Sequence, residues 1–173
     1  MSAPAWALTL VYWLHMLATV VWIGGLAALT ILVLPAARKT LGETAFTGFL
    51  TDLQRRLDPL AWFSLVVLVG TGLFQMSASP NYQGLLSIGN RWAVAILLKH
   101  ILFLGMAGLS AYITWGLLPG LKRIAMQQAI SARDRGLPAA DGAELSRREV
   151  RLLRINLLLG VLVLALTAVA RAA

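Results

Sequence analysis

The 173-residue chain contains no cysteine. Disulfides, thiolate metal sites, covalent c-type heme attachment and a cysteine nucleophile are therefore excluded. Charge is scarce as well. Asp, Glu, Lys and Arg make up 13% of the residues, against about 25% in a soluble domain. With 59% hydrophobic residues and a mean hydropathy of +0.78, that scarcity excludes disorder and an ordinary soluble enzyme. Acidic residues are the rarest charges, seven against fifteen Lys and Arg, for a net charge of +8. In so apolar a chain this excess reads as basic membrane loops rather than as a nucleic-acid surface. Nucleophile triads, phosphate-binding glycine loops and metal-hydrolase spacings are also missing, so an electron-transfer or transport role is expected ahead of hydrolase or transferase chemistry.

What the chain does have is long uncharged runs. No Asp, Glu, Lys or Arg occurs at 1–37, 59–90, 100–121 or 155–170. A membrane-crossing helix needs roughly 20 mostly apolar residues at about 1.5 Å of rise each. The four runs predict an all-α integral membrane protein, a four-helix up-and-down bundle forming one domain over 1–173. Its helices are expected at about 6–34, 59–76, 91–118 and 152–170. Asp58-Pro59 reads as the start of the second helix, a capping carboxylate followed by proline at the first helical position. Pro119-Gly120 reads as the exit or a kink of the third.

Basic residues set the expected orientation. Twelve lie in the first and third connections, against Arg91 and Arg171 on the other side. The positive-inside rule puts those connections in the cytoplasm and both termini outside, in a bacterial-type inner or plasma membrane. The amino-terminal arm has no basic leader, so the first helix is expected to be retained. In the third connection, the third helix is expected to run on through Ile130, with a turn at 133–138. Asp141 and Glu144 resemble a capping box that would start the fourth helix early, with 144–154 lying basic-face-out. In the connection 77–90, Ser79-Pro80-Asn81 reads as a turn, and the middle as a short interfacial helix or a plain surface loop.

The two histidines, His15 and His100, both fall inside expected spans. Each lies about 13–14 Å below its helix start, on helices that run in the same direction. Equal depth on diagonal helices suits a bis-histidine b-type heme, one per chain, with an iron–imidazole bond on each face. Ala18, Thr19 and Trp22 share the His15 face, with Trp22 expected to line the pocket. Ala93, Ile96, Leu104, Ala107 and Ala111 share the His100 face. The plainer reading makes each histidine an interhelical hydrogen-bonding residue.

Lys99 is the one charge well inside an expected span, and no Asp or Glu lies in any expected helix to pair with it. Either it snorkels along its stem to the surface, or it meets an anionic guest such as a heme propionate. Arg91 and Asn90, at the start of the same helix, would help hold that propionate. A single heme near the outer face cannot carry electrons across the bilayer alone. The expected role is therefore electron exchange with a quinol or an outer-side partner, as a free cytochrome or as one subunit of a larger complex. A further reading is a non-catalytic accessory subunit or homo-oligomer, packed through Gly24, Gly25, Ala28, Gly70, Gly72 and Gly160.

Three short motifs carry a resemblance. His15 followed by WIGGL (Trp22 to Leu26) and Pro35 ending the first helix, TGLFQ (Thr71 to Gln75), and LLKH (Leu97 to His100) resemble the copper resistance protein D (CopD-like) membrane domain over roughly 10–118. The resemblance implies copper uptake or tolerance, and larger members carry an eight-span core. The softness of Cu(I) then makes Met76 a candidate ligand beside His15 and His100, with Met16 and Met106 as further thioethers. Methionines also simply fill apolar gaps. The chain is similar, too, to the four-span HemJ-type protoporphyrinogen oxidases, which share a first-helix histidine and a third-helix lysine, here His15 and Lys99. That likeness implies heme binding and porphyrin oxidation.

Overall fold

In the computed structural model the described residues are 4–82, 84, 86–120, 122–123, 126 and 140–172. Among them there is no strand. Four helices are long and apolar enough to cross a membrane, which is the all-helical, four-span architecture expected of the sequence. We label them α1 (Ala5–Thr40), α2 (Glu43–Ser77), α3 (Arg91–Gly120) and α4 (Ala140–Ala172).

Several helix ends differ from expectation. α2 begins at Glu43, so Asp58-Pro59 lies inside the helix rather than at its start. Proline removes one backbone donor and crowds the carbonyl four residues back. Here the helix runs through it, with Phe46 and Leu50 buried on the amino-terminal side of Pro59 and Leu65 and Leu68 buried beyond it. α4 begins at Ala140, fifteen residues before the start of the uncharged run, and its turns at 144–154 bury a stripe despite their charges. Ser146, Glu149, Val150 and Leu153 face inward, while Arg147, Arg148, Arg151 and Arg154 are exposed. The expected continuation of α3 to Ile130 and the turn at 133–138 lie outside the described residues.

Pro35 does not end α1 either, and α3 does not stop before Pro119. Each proline follows two residues after a π-helical segment, Ala28–Val33 in α1 and Tyr112–Leu117 in α3. A π turn is wider than an α turn and shifts the hydrogen-bond register by one residue. The missing proline N–H therefore falls where the register is already changing. A third π segment, Val20–Gly24, lies earlier in α1.

The connection 77–90 contains the expected turn at Pro80, with the Tyr82 N–H donating to the Ser79 carbonyl at 3.1 Å. The expected short helix is not present among its described residues. Gly84 has φ +117, which a right-handed helix does not accommodate.

The chain divides into two compact units. The first gathers Met1–Gly25, Leu60–Ala107 and Leu158–Ala173. Its core joins Ala18, Trp22 and Ile23 of α1 with Leu65 and Leu68 of α2, Met106 of α3 and Val163 of α4. Gly160 permits close approach there: a Cβ on it would lie 3.2 Å from Met106 Cε. The second unit gathers Leu26–Pro59 and Gly108–Leu157. Its core includes Leu29, Leu34, Leu50, Ile113, Val150 and Leu153. Large apolar side chains such as Trp13, Val66, Ile101 and Leu158 are exposed on the outer faces, as in helices whose solvent is lipid.

Candidate functional site

Every residue predicted for the site falls in the first unit. α1 and α2 meet there antiparallel and in register. The His15 ring is 2.8 Å from Thr71 Oγ1, and one turn away Gln75 Nε2 donates to the Val11 carbonyl at 3.4 Å. Between them, Gly72 gives the imidazole a floor, since a Cβ at that position would be 3.5 Å from His15 Cε1. Thr71, Gly72 and Gln75 of the TGLFQ stretch are thus the residues that face the first helix.

The hydrogen bonds assign the tautomers. The Thr71 hydroxyl donates its one proton to the Val67 carbonyl at 2.5 Å. Its oxygen therefore accepts from His15, so His15 carries its proton on Nδ1 and keeps a lone pair on Nε2. His100 reaches the same state by another route. Its Nδ1 is 2.7 Å from the Ile96 carbonyl, which only accepts. A ligating imidazole with its second nitrogen anchored to a hydroxyl or carbonyl has this arrangement.

On α3 the buried stripe runs through Ala95, Met106 and Ile113. Lys99 stands on that stripe, one turn from Ala95, and His100 stands on its flank. Lys99 and, from the end of α4, Arg171 lie within electrostatic reach of the His15 ring. The Arg171 guanidinium also stacks over Tyr12, 5.6 Å from the ring centre. His15 is thus brought together with Thr71, Lys99 and Arg171, while His100 is tied to its own helix.

The remaining predicted residues are more scattered. Arg91 is exposed at the start of α3, where Asn90 Oδ1 caps the helix by accepting from the Ala93 N–H at 2.7 Å. Trp22 is buried edge-on against Phe103, with ring centres 5.7 Å apart, so its ring is spent on core packing. Leu104, expected on a closed His100 face, is 68% exposed. Of the three thioethers, Met16 is 62% exposed, Met106 is fully enclosed in the core, and Met76 is buried one turn beyond Gly72. Among the described residues, no three His, Asp or Glu side chains group as a metal site.

Sequence reasoning missed a second set of polar residues. Glu149, Gln54 and Asn156 are buried in the second unit, and Asp58 is half-buried beside Thr114. Contrary to expectation, carboxylates do lie in helices, Asp58 in α2 and Glu149 in α4, because both helices start earlier than the apolar runs. The Asp141–Glu144 pattern signalled the early start of α4, and Glu149, Leu153 and Asn156 then recur at helical spacing on one face.

Four apolar spans with an intramembrane imidazole–threonine pair define an integral membrane protein of the polytopic helical class. The chain belongs to the copper resistance protein D family, whose model matches residues 52–170. The match takes in Thr71–Gln75, Lys99 and His100, and His15 lies before it. No curated protein and no solved structure matches the chain.

Proposed function

We propose that the protein handles copper in the membrane, in uptake or tolerance, with Cu(I) as cargo and His15 Nε2 as a ligand. Family membership over 52–170 carries this reading. The chemistry of the site supports it. The Nε2 lone pair is free, and Thr71 anchors the other nitrogen. Met76 supplies a buried thioether one turn from the Gly72 floor, and His100 offers a second Nε2. Soft thioether and imidazole donors suit the cuprous ion. The positive charges of Lys99 and Arg171 oppose any cation at His15, and because repulsion scales with ion charge they oppose a divalent ion twice as strongly as Cu(I). Both termini outside would put this site on the outer side, above the basic connections.

The test is copper binding by the purified, reconstituted chain under reducing conditions, read by competition with a colorimetric cuprous chelator. The expected result is one Cu(I) per chain, with affinity falling at least tenfold in His15→Ala and in Met76→Ala. Stoichiometric copper that survives both substitutions would remove His15 and Met76 from the site.

A second reading, one bis-histidine heme b exchanging electrons with a quinol or membrane redox partner, is favoured by a different observation. Lys99 and Arg171 place positive charge beside His15, which suits a carboxylate-bearing guest. The tautomers of His15 and His100 fit axial ligation. The expected walls fit less well, because Trp22 is packed on Phe103 and Leu104 faces outward. A red preparation whose reduced-minus-oxidised spectrum disappears in His15→Ala and His100→Ala would establish the heme reading over copper.

A further inference from the structure

The second unit encloses a polar ladder built from three helices. At one end, Gln54 Nε2 of α2 donates to Glu149 Oε1 of α4 at 3.1 Å. One turn along α2 and on α3, Asp58 is bonded by the Thr114 side chain. A turn further on α3, Asn156 Nδ2 of α4 donates to Ser110 Oγ at 2.9 Å. The levels agree: Glu149 to Asn156 is about 10 Å of helix rise, and Gln54 to Asp58 and Thr114 to Ser110 are about 6 Å each.

Two oxygens on this ladder have no partner, Glu149 Oε2 and Asn156 Oδ1. Both side chains are enclosed, Glu149 at 0% and Asn156 at 2% exposure. A buried carboxylate holding one amide N–H and nothing else is an uncompensated charge. Among the described residues, a charged group in reach of Glu149 is Asp58, of the same sign. Arg55, Arg56, Arg147, Arg151 and Arg154 are exposed, and two further arginines sit over aromatic rings. Arg148 lies over the Tyr112 ring at 5.7 Å, and Arg38 over Phe46 at 5.1 Å. Lys122 is within reach of Asp58. From α1 the enclosed polar group is Thr30, whose hydroxyl donates to its own helix at Leu26. A metal ion would need several oxygens at one level, whereas the two free oxygens here are two helical turns apart.

We propose that Glu149 is a proton-binding site, taking up one proton on Oε2, with Asp58 as the neighbouring carboxyl and the Ser110–Asn156 pair as the far end of the ladder. The proton comes from water on the side of the basic connections and returns there. One O–H bond forms, and no electrons are exchanged. A carboxylate enclosed in this way without a counter-charge is costly, and protonation removes that cost. The site is independent of copper at His15.

Dicyclohexylcarbodiimide, an apolar reagent for protonated intramembrane carboxyls, provides a test that needs no variant. The full chain in lipid nanodiscs, treated at a series of pH values and mapped by mass spectrometry, should carry the adduct on Glu149. Labelling should fall tenfold per pH unit above the midpoint. Failure to modify Glu149, a pH-independent rate, or an adduct on Asp58 alone would each overturn the proposal. Infrared spectroscopy supplies an independent arm. A carboxylic acid C=O band should appear on acidification and be absent in Glu149→Gln, which keeps an oxygen for Gln54. An unchanged band in that variant would overturn the assignment.

Discussion

The His15 imidazole donates from Nδ1 to Thr71 Oγ1 at 2.8 Å, and the Thr71 proton is committed to Val67 at 2.5 Å. One hydroxyl thereby fixes both the ring orientation and the identity of the nitrogen left free. Removing it as Thr71→Val should cost about 1 kcal/mol of stability and lower copper affinity about 10–100-fold. Thr71→Ser should retain most of both. Thermal unfolding in detergent and cuprous competition on the same preparations would check this.

The Gly72 floor makes a graded prediction. A Cβ there meets His15 Cε1 at 3.5 Å, ordinary van der Waals contact. Gly72→Ala should therefore leave copper binding within about twofold, whereas Gly72→Leu should displace the ring and lower affinity at least tenfold. Equal binding by both variants would show that the ring position does not matter to the site.

Gly160 predicts a packing effect without a site effect. A Cβ there would lie 3.2 Å from Met106 Cε and 3.6 Å from Ile23 Cγ2. Gly160→Leu should overpack this contact and cost about 1–3 kcal/mol. Gly160→Ala should be milder, because the end of a methionine side chain gives way. Unfolding midpoints of the two variants, compared with the parent, would decide.

Ser110 and Asn156 should be energetically coupled. A double-mutant cycle with Ser110→Ala and Asn156→Leu should give about 0.6 kcal/mol, the usual size for a hydrogen bond between membrane helices. A coupling near zero would mean that the 2.9 Å contact contributes shape rather than energy.

The absence of cysteine makes orientation directly measurable. Single cysteines at Ala78→Cys and Thr40→Cys replace exposed residues, the first just past the end of α2 and the second at the end of α1. A membrane-impermeant maleimide applied to intact cells should label the first and spare the second. The reverse pattern would invert the topology expected from the basic residues.

The number and type of helices were legible in the sequence, because four uncharged runs dominate it. The helix ends were not. In α2 and α4 the helix outlasts the apolar run: amphipathic turns at 45–58 and 144–151 bury one stripe and expose their arginines, so the presence of charge was a poor guide to the absence of helix. Pro59, Pro35 and Pro119 were read as boundaries, and tertiary packing or a π register carried the helix through each one. His15, Lys99 and Met76 were identifiable as unusual residues in an apolar setting. Their partners Thr71 and Gly72 are common membrane residues, and only the antiparallel pairing of α1 with α2 marks them out. Glu149 was hidden among arginines, four of them within five residues on either side of it.

The wide turn at Ala28–Val33 holds one residue more than the α turn it replaces. Deleting one residue there would draw the segment back to ordinary pitch and leave Leu34 and Ala37 in the core and Arg38 over Phe46. The same deletion in an α-helical stretch of α1 would rotate everything after it by about 100°. Homologues should accordingly tolerate a single-residue gap at 28–33 and resist one elsewhere in α1.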